Sequence, residues 1–292
     1  MSDNISVWVA GARPNTLPAA LAPVLAGAAV PAHLGIYDWP LALLCFVVAL
    51  GLQIGVNYAN DYSDGVRGTD DDRVGPVRLT ASGLASPAAV KRAAFICFGV
   101  SAVAGLAVVA ISGHWWLLVV GALCILAAWF YTGGKKPYGY LGLGEVFVFV
   151  FFGLVAVGGT AYVIGDGVPP ATWAAATAIG ALASALLVVN NLRDLAKDQV
   201  AGKLTLATRL GDVGTRRFYV ALIGLAALAV VIFAALTTWA ALIALLAFGM
   251  ALRPVQRMLS GATGTALIPL LRGTSMTELG VGLGLLVGTF VG

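Results

Sequence analysis

Apolar residues along this chain come in long unbroken runs, not in alternation. The runs lie near residues 14–33, 40–60, 93–111, 115–131, 143–164, 172–192, 217–236, 238–252 and 274–291. A helix rises 1.5 Å per residue, so about 20 apolar residues cross a ~30 Å hydrocarbon core. Membrane barrel strands would instead alternate lipid-facing and lumen-facing positions. The pattern therefore predicts an all-α integral membrane protein with nine transmembrane helices. Pro14, Pro18 and Pro23 are expected to bend or break the first of them near its start.

Composition strengthens this reading. The chain is 60% hydrophobic and only 10% charged, with a mean hydropathy of +0.95, whereas soluble domains are about 25% charged. The few charges also orient it. With the N-terminus in the cytoplasm, the inner loops 61–92, 132–142, 193–216 and 253–273, together with Arg13 and with Arg217 at the inner end of the seventh run, hold every Lys and Arg. The outer loops carry Asp38, Asp166, His33 and His114 and no basic residue. Such segregation follows the positive-inside rule and argues for an odd number of spans. The net charge of +4 then reflects topology and excludes a nucleic-acid-binding reading. Residues 1–4 are polar and lack the basic region of a cleaved signal, so the first span is expected to stay. Cys45, Cys97 and Cys124 all fall inside apolar runs without metal-ligand spacing and read as small buried or lipid-facing residues.

Against this background two clusters of carboxylates and amides stand out. Asn57, Asn60, Asp61 and Asp64 close the second run, and Asn190, Asp194 and Asp198 close the sixth. Residues four apart share a helix face, so Asn190, Asp194 and Asp198 form one stripe. Asn57 pairs with Asp61, and Asn60 with Asp64. Ionisable groups at membrane depth are expensive and usually functional. Oxygen ligands of this kind suit Mg²⁺, which binds through a few carboxylates together with substrate phosphates. The two cytoplasmic helix ends are thus expected to form one polar site with two Mg²⁺ ions around a diphosphate. The plainer alternative is that these acids only end helices and pair with Arg67, Arg193 or Lys197.

Phosphate would also need cations. Lys135 and Lys136 follow the Gly-rich Tyr131-Thr132-Gly133-Gly134, Lys203 and Arg209 follow the second cluster, and Arg67 follows the first. The positive-inside rule alone would also place basic residues there. Asp70-Asp71-Asp72 lies mid-loop without a helical frame and reads as a solvated acidic run. Glu145 opens the fifth run, where an acid suits a helix N-terminus.

The same residues carry a resemblance. Asn60-Asp61-x-x-Asp64 and Asp194-x-x-x-Asp198 resemble the two aspartate motifs of the UbiA superfamily of intramembrane prenyltransferases, over nearly the whole chain. Arg13-Pro14-x-Thr16-Leu17-Pro18, Tyr131-Thr132-Gly133-Gly134, residues 137–145 and Ala201-Gly202-Lys203 are similar to the menaquinone-pathway branch of that superfamily. Where other members carry a further Asp, this chain has Gly68, which leaves the third acid to Asp70 or Asp71 or omits it. The resemblance implies one transmembrane prenyltransferase domain over residues 1–292 in the inner membrane of a bacterium, with its active site on the cytoplasmic side. It implies Mg²⁺-dependent transfer from polyprenyl diphosphate to 1,4-dihydroxy-2-naphthoate, with loss of CO₂ and diphosphate and demethylmenaquinol as product. The runner-up acceptor is 4-hydroxybenzoate or another aromatic. Asp61, Asp64, Asp194 and Asp198 would serve catalysis through the metal, Tyr131 would face the allylic cation, and Arg67, Lys135, Lys136, Lys203 and Arg209 would hold the diphosphate. An ion-coupled transporter is a more distant rival, since its acids would lie near the midplane. A phosphatidyl-group transferase is another, but the tight downstream aspartate repeat it needs is missing.

Overall fold

A computed structural model describes residues 2–68 and 77–292, and no strand occurs among them. Asp70, Asp71, Asp72 and Arg73 of the expected acidic loop lie outside the described residues. The chain runs through α1 (Ser2–Ala12), a 3₁₀ turn (Pro14–Thr16), α2 (Pro18–His33), α3 (Trp39–Arg67), α4 (Pro87–Ser112) and α5 (Leu117–Phe130). It continues through α6 (Gly144–Gly165), α7 (Pro170–Val200), α8 (Leu206–Leu236), α9 (Trp239–Leu259) and α10 (Gly264–Val291).

Among the described residues, seven of these helices, α3, α4 and α6 to α10, are long and apolar enough to cross a membrane. The stretch through α1 and α2, bent by 47°, makes an eighth. The break is where the prolines place it: Arg13 adopts a left-handed backbone (φ 55°) and Pro14 and Pro18 open the two helical pieces that follow. All nine apolar runs fall on helices. The fourth, however, is cut to 14 residues in α5, about 21 Å of rise. The left-handed Gly113 caps the helix before it, and Gly134 turns the chain after it.

Two expected loops shrink. α3 continues to Arg67, where Gly68 (φ 71°) ends it, and α7 continues to Val200. Both acid clusters therefore lie inside the last turns of helices and not in loops, because their side chains find partners that allow the helix to continue. α7 is the hub: 83% of its apolar stretch is buried. Its Ala174, Ala175, Ala178, Ala181 and Ala185 are small enough for neighbours to approach closely. At the α6 crossing a Cβ on Gly153 would stand 2.6 Å from the Ala176 carbonyl oxygen. Gly153 itself lies in a π-helical stretch, Phe149–Val155. Such turns re-aim the side chains that follow them and recur at functional sites.

Candidate active site

The last turns of α3 and α7 meet at one end of a cavity of about 620 Å³. From α3 the cavity receives Gln53, Asn57, Asn60 and Asp64, and from α7 it receives Asn190, Asn191, Asp194 and Asp198. The i, i+4 spacing read from the sequence places each set on one face. The Asp64 carboxylate accepts a hydrogen bond from the Tyr140 hydroxyl at 2.5 Å and lies 3.8 Å from Arg78 Nη2. Asp194 accepts two bonds from Arg193, at 2.9 and 2.8 Å. Asp198 lies 3.9 Å from Lys203 Nζ, which sits 4.4 Å above the Tyr140 ring. Asn60 Oδ1 accepts from Thr132 Oγ1 at 2.7 Å. Arg78, Tyr140 and Lys203 thus tie three connecting segments to the two helices.

Asp61 is turned elsewhere. It is 1% exposed, and its two oxygens accept from the backbone amides of Leu79 and Thr80 at 2.8 and 2.9 Å. It does not line the cavity. Asp61 and Asp64 stand three positions and about 60° apart around the helix, and the Leu79 and Thr80 amides hold Asp61 on the side away from the cavity that Asp64 lines. Asp61 instead anchors the chain as it returns from the 69–76 segment. Asn57 lines the cavity, but its amide donates to the Ala12 carbonyl at 2.9 Å and to Thr16 Oγ1 at 3.2 Å.

The expected basic residues also separate. Lys203 lines the cavity, and so does Lys197, to which the sequence reading gave no phosphate role. Lys135 and Lys136 are exposed and outside it. Arg67 donates to the carbonyls of Thr132 and Gly134 and lies 5.7 Å from the Tyr140 ring. Arg209 donates to the Leu141 carbonyl at 2.9 Å. Both therefore brace the turn 132–142 that forms the rim. Arg78 and Tyr140 carried no assigned role from sequence, the only signal being that Tyr140 falls in the 137–145 motif. Glu145 is buried and accepts from the Asn191 amide at 2.8 Å, which fixes the start of α6 to α7.

Beyond the polar mouth the cavity is apolar. A chain of rings runs inward: Tyr131 to Tyr138 at 5.5 Å, Tyr138 to Phe147 at 4.2 Å, and Phe147 to Phe151 at 6.0 Å. Burial pushes the Tyr138 phenol well above its ordinary pKa. The deep end reaches Val108, Leu117, Gly121 and Val163.

The donor set fits a hard cation. Among the described residues no three His, Cys, Asp or Glu gather as a closed metal cluster. Asn60 with Asp64, and Asp194 with Asp198, instead set oxygen groups i, i+4 along two helix ends, a donor chemistry that suits Mg²⁺ where substrate phosphates complete its shell.

Residues 20–270 match the UbiA prenyltransferase family. A 1,4-dihydroxy-2-naphthoate octaprenyltransferase of Mycobacterium tuberculosis is 52% identical, covering 93% of this chain and 92% of that one. The Escherichia coli protein of the same name is 43% identical over 74% of this chain and 72% of its own. Among solved structures, a UbiA homolog from Aeropyrum pernix superposes with a TM-score of 0.69 at 14% identity, covering 94% and 97% of the two chains. One from Archaeoglobus fulgidus bound to GPP and Mg²⁺ gives 0.67 at 15%, covering 96% and 99%. The fold, the paired acid faces over an apolar cavity and the sequence matches agree, and the chain belongs to the UbiA prenyltransferase family.

Proposed function

We propose that this chain transfers a polyprenyl group from polyprenyl diphosphate to 1,4-dihydroxy-2-naphthoate, releasing diphosphate and CO₂ and giving demethylmenaquinol. The observation that carries the reading is the pairing of two oxygen-rich helix faces with one deep apolar cavity. A substrate with a charged head and a long tail needs both. The names of the relatives supply the acceptor.

Asn60, Asp64, Asn190, Asp194 and Asp198 would hold Mg²⁺, taken as two ions. When bound, the metal neutralises the diphosphate and makes it a better leaving group. Lys203, Lys197 and Arg78, three of the cations lining the cavity, hold the diphosphate oxygens as charge grows on them. Arg67, Arg209, Lys135 and Lys136 shape the rim and raise the local positive potential. Tyr131 turns a ring toward the cavity where the allylic cation forms, and an aromatic face stabilises a cation. The apolar wall keeps water from capturing that cation before the electron-rich acceptor ring attacks it. Nine spans, a cytoplasmic N-terminus and an active site on the inner face of a bacterial membrane complete the proposal.

The test is a product assay on the purified protein in detergent with Mg²⁺, polyprenyl diphosphate and either 1,4-dihydroxy-2-naphthoate or 4-hydroxybenzoate, read by mass. A decarboxylated prenylnaphthol that disappears on chelation of Mg²⁺ is expected. Product from 4-hydroxybenzoate alone would keep the chemistry and replace the acceptor. No product from either, with folded protein, would end the transferase reading.

A further inference from the structure

One polar cluster in the cavity is not used by the diphosphate chemistry. Arg13, at the left-handed break between α1 and the 3₁₀ turn, lines the cavity. Among the described residues its guanidinium has no hydrogen-bond or ion-pair partner, and its Nη2 is buried without one. A guanidinium carries five donors and stays charged, so leaving it unpaired beside an apolar wall is costly. Gln53 lines the same cavity and is 7% exposed. Its Nε2 donates to Thr16 Oγ1 at 3.1 Å, while its Oε1 is buried with no partner. Thr16 Oγ1 in turn donates to the Arg13 carbonyl at 2.9 Å. One threonine therefore ties the backbone at Arg13 to the side-chain amide of Gln53. Gln53 lies three turns along α3 from Asp64, about 16 Å, well inside the mouth.

These two groups ask for a particular ligand. A metal ion is repelled by Arg13. A diphosphate accepts hydrogen bonds only, so it would satisfy Arg13 but be repelled by Gln53 Oε1. An aromatic acid with a hydroxyl beside its carboxylate satisfies both at once. Its carboxylate pairs with the guanidinium fork, and its hydroxyl donates to the amide oxygen. We infer that Arg13 and Gln53, positioned by Thr16, form the subsite that binds the carboxylate and adjacent hydroxyl of the acceptor. This rests on the prenyl-transfer reading above and names the residues that recognise the second substrate. Asn57, bonded to the same Thr16 hydroxyl, belongs to this subsite's frame.

The test compares wild type with Arg13→Gln, Arg13→Lys and Gln53→Leu, using 1,4-dihydroxy-2-naphthoate and its carboxyl-free analogue 1,4-dihydroxynaphthalene as acceptors. Removing one partner of a buried charge pair should raise the KM for the acid about thirtyfold or more in Arg13→Gln. The KM for polyprenyl diphosphate should stay unchanged, and the preference for the acid over the diol should collapse. Arg13→Lys should restore part of that preference, because the charge returns without the fork. Gln53→Leu should raise the acid KM on its own. It also carries the test if Arg13→Gln does not fold. An unchanged acid KM, or a rise in the donor KM in its place, overturns the inference. Failure of the wild type to use the acid at all would instead remove the transfer reading on which it stands.

Discussion

At the scale of single residues, the site turns on two acids three positions apart. Asp61 and Asp64 sit in one motif, yet one binds backbone amides and the other faces the cavity. Asp61→Asn should therefore act on stability. It weakens a charge-assisted hold on two amides, one of them buried, and about 1–3 kcal/mol is the expected cost. The Mg²⁺ requirement of the folded variant should not move. Asp194→Asn should act on turnover as well, which falls by about a hundredfold or more, as expected when a metal's coordination shell is altered, with a loss of stability from the weakened pairing to Arg193. Thermal unfolding and Mg²⁺ titration of turnover, run side by side, decide this. A shifted Mg²⁺ requirement in Asp61→Asn with normal stability would return Asp61 to the metal set. The sequence could place both acids on the right helix, because i, i+4 spacing is local. It could not say which acid faces the cavity, because Leu79 and Thr80 come back to Asp61 only through tertiary folding.

At the scale of elements, apolar run length located the membrane helices well. Hydrophobic burial and backbone satisfaction leave a long apolar segment in lipid few alternatives to a helix. The Arg13 break was legible for an equally local reason, proline geometry. The π-helical stretch of α6 was not, since it depends on the close approach of Gly153 to α7. Nor was α5, whose run was cut short. That helix has no fully buried residue and walls the cavity with Gly121, where an added Cβ would meet nothing within 4 Å. Gly121→Trp should fill the deep end while leaving the mouth intact. The expected result is a loss of about tenfold or more in kcat/KM for a long polyprenyl diphosphate, with geranyl diphosphate used as before. Competition between the two donors in one reaction, read by product mass, measures this. Equal losses for both donors would mean that the deep end is not where the tail lies.

At the scale of the whole molecule, the remaining issue is whether the short helix α5 crosses the membrane. Its 14 residues rise about 21 Å against a ~30 Å core. Contacts at its end favour a crossing. Arg67, at the end of α3, bonds to the carbonyls of Thr132 and Gly134, just past α5. Tyr140 reaches back to Asp64 of the same α3 end. α4 leads away from that end of α3, and α5 leads back to it. A mismatch of this size is met by local thinning at fractions of a kcal/mol per Å. Trp115 and Trp116, both exposed just before α5, suit the interfacial belt that would anchor its far end. With Cys45, Cys97 and Cys124 replaced by Ala, His33→Cys and Lys136→Cys should report from opposite sides. An impermeant maleimide on intact cells should label His33→Cys. It should reach Lys136→Cys only after the membrane is opened. Labelling of both from outside would mean that α5 does not cross, and would place the rim of the site on the wrong face for the basic loops. Labelling of Lys136→Cys alone would invert the molecule and put the aspartate faces outside, against the segregation of all its Lys and Arg.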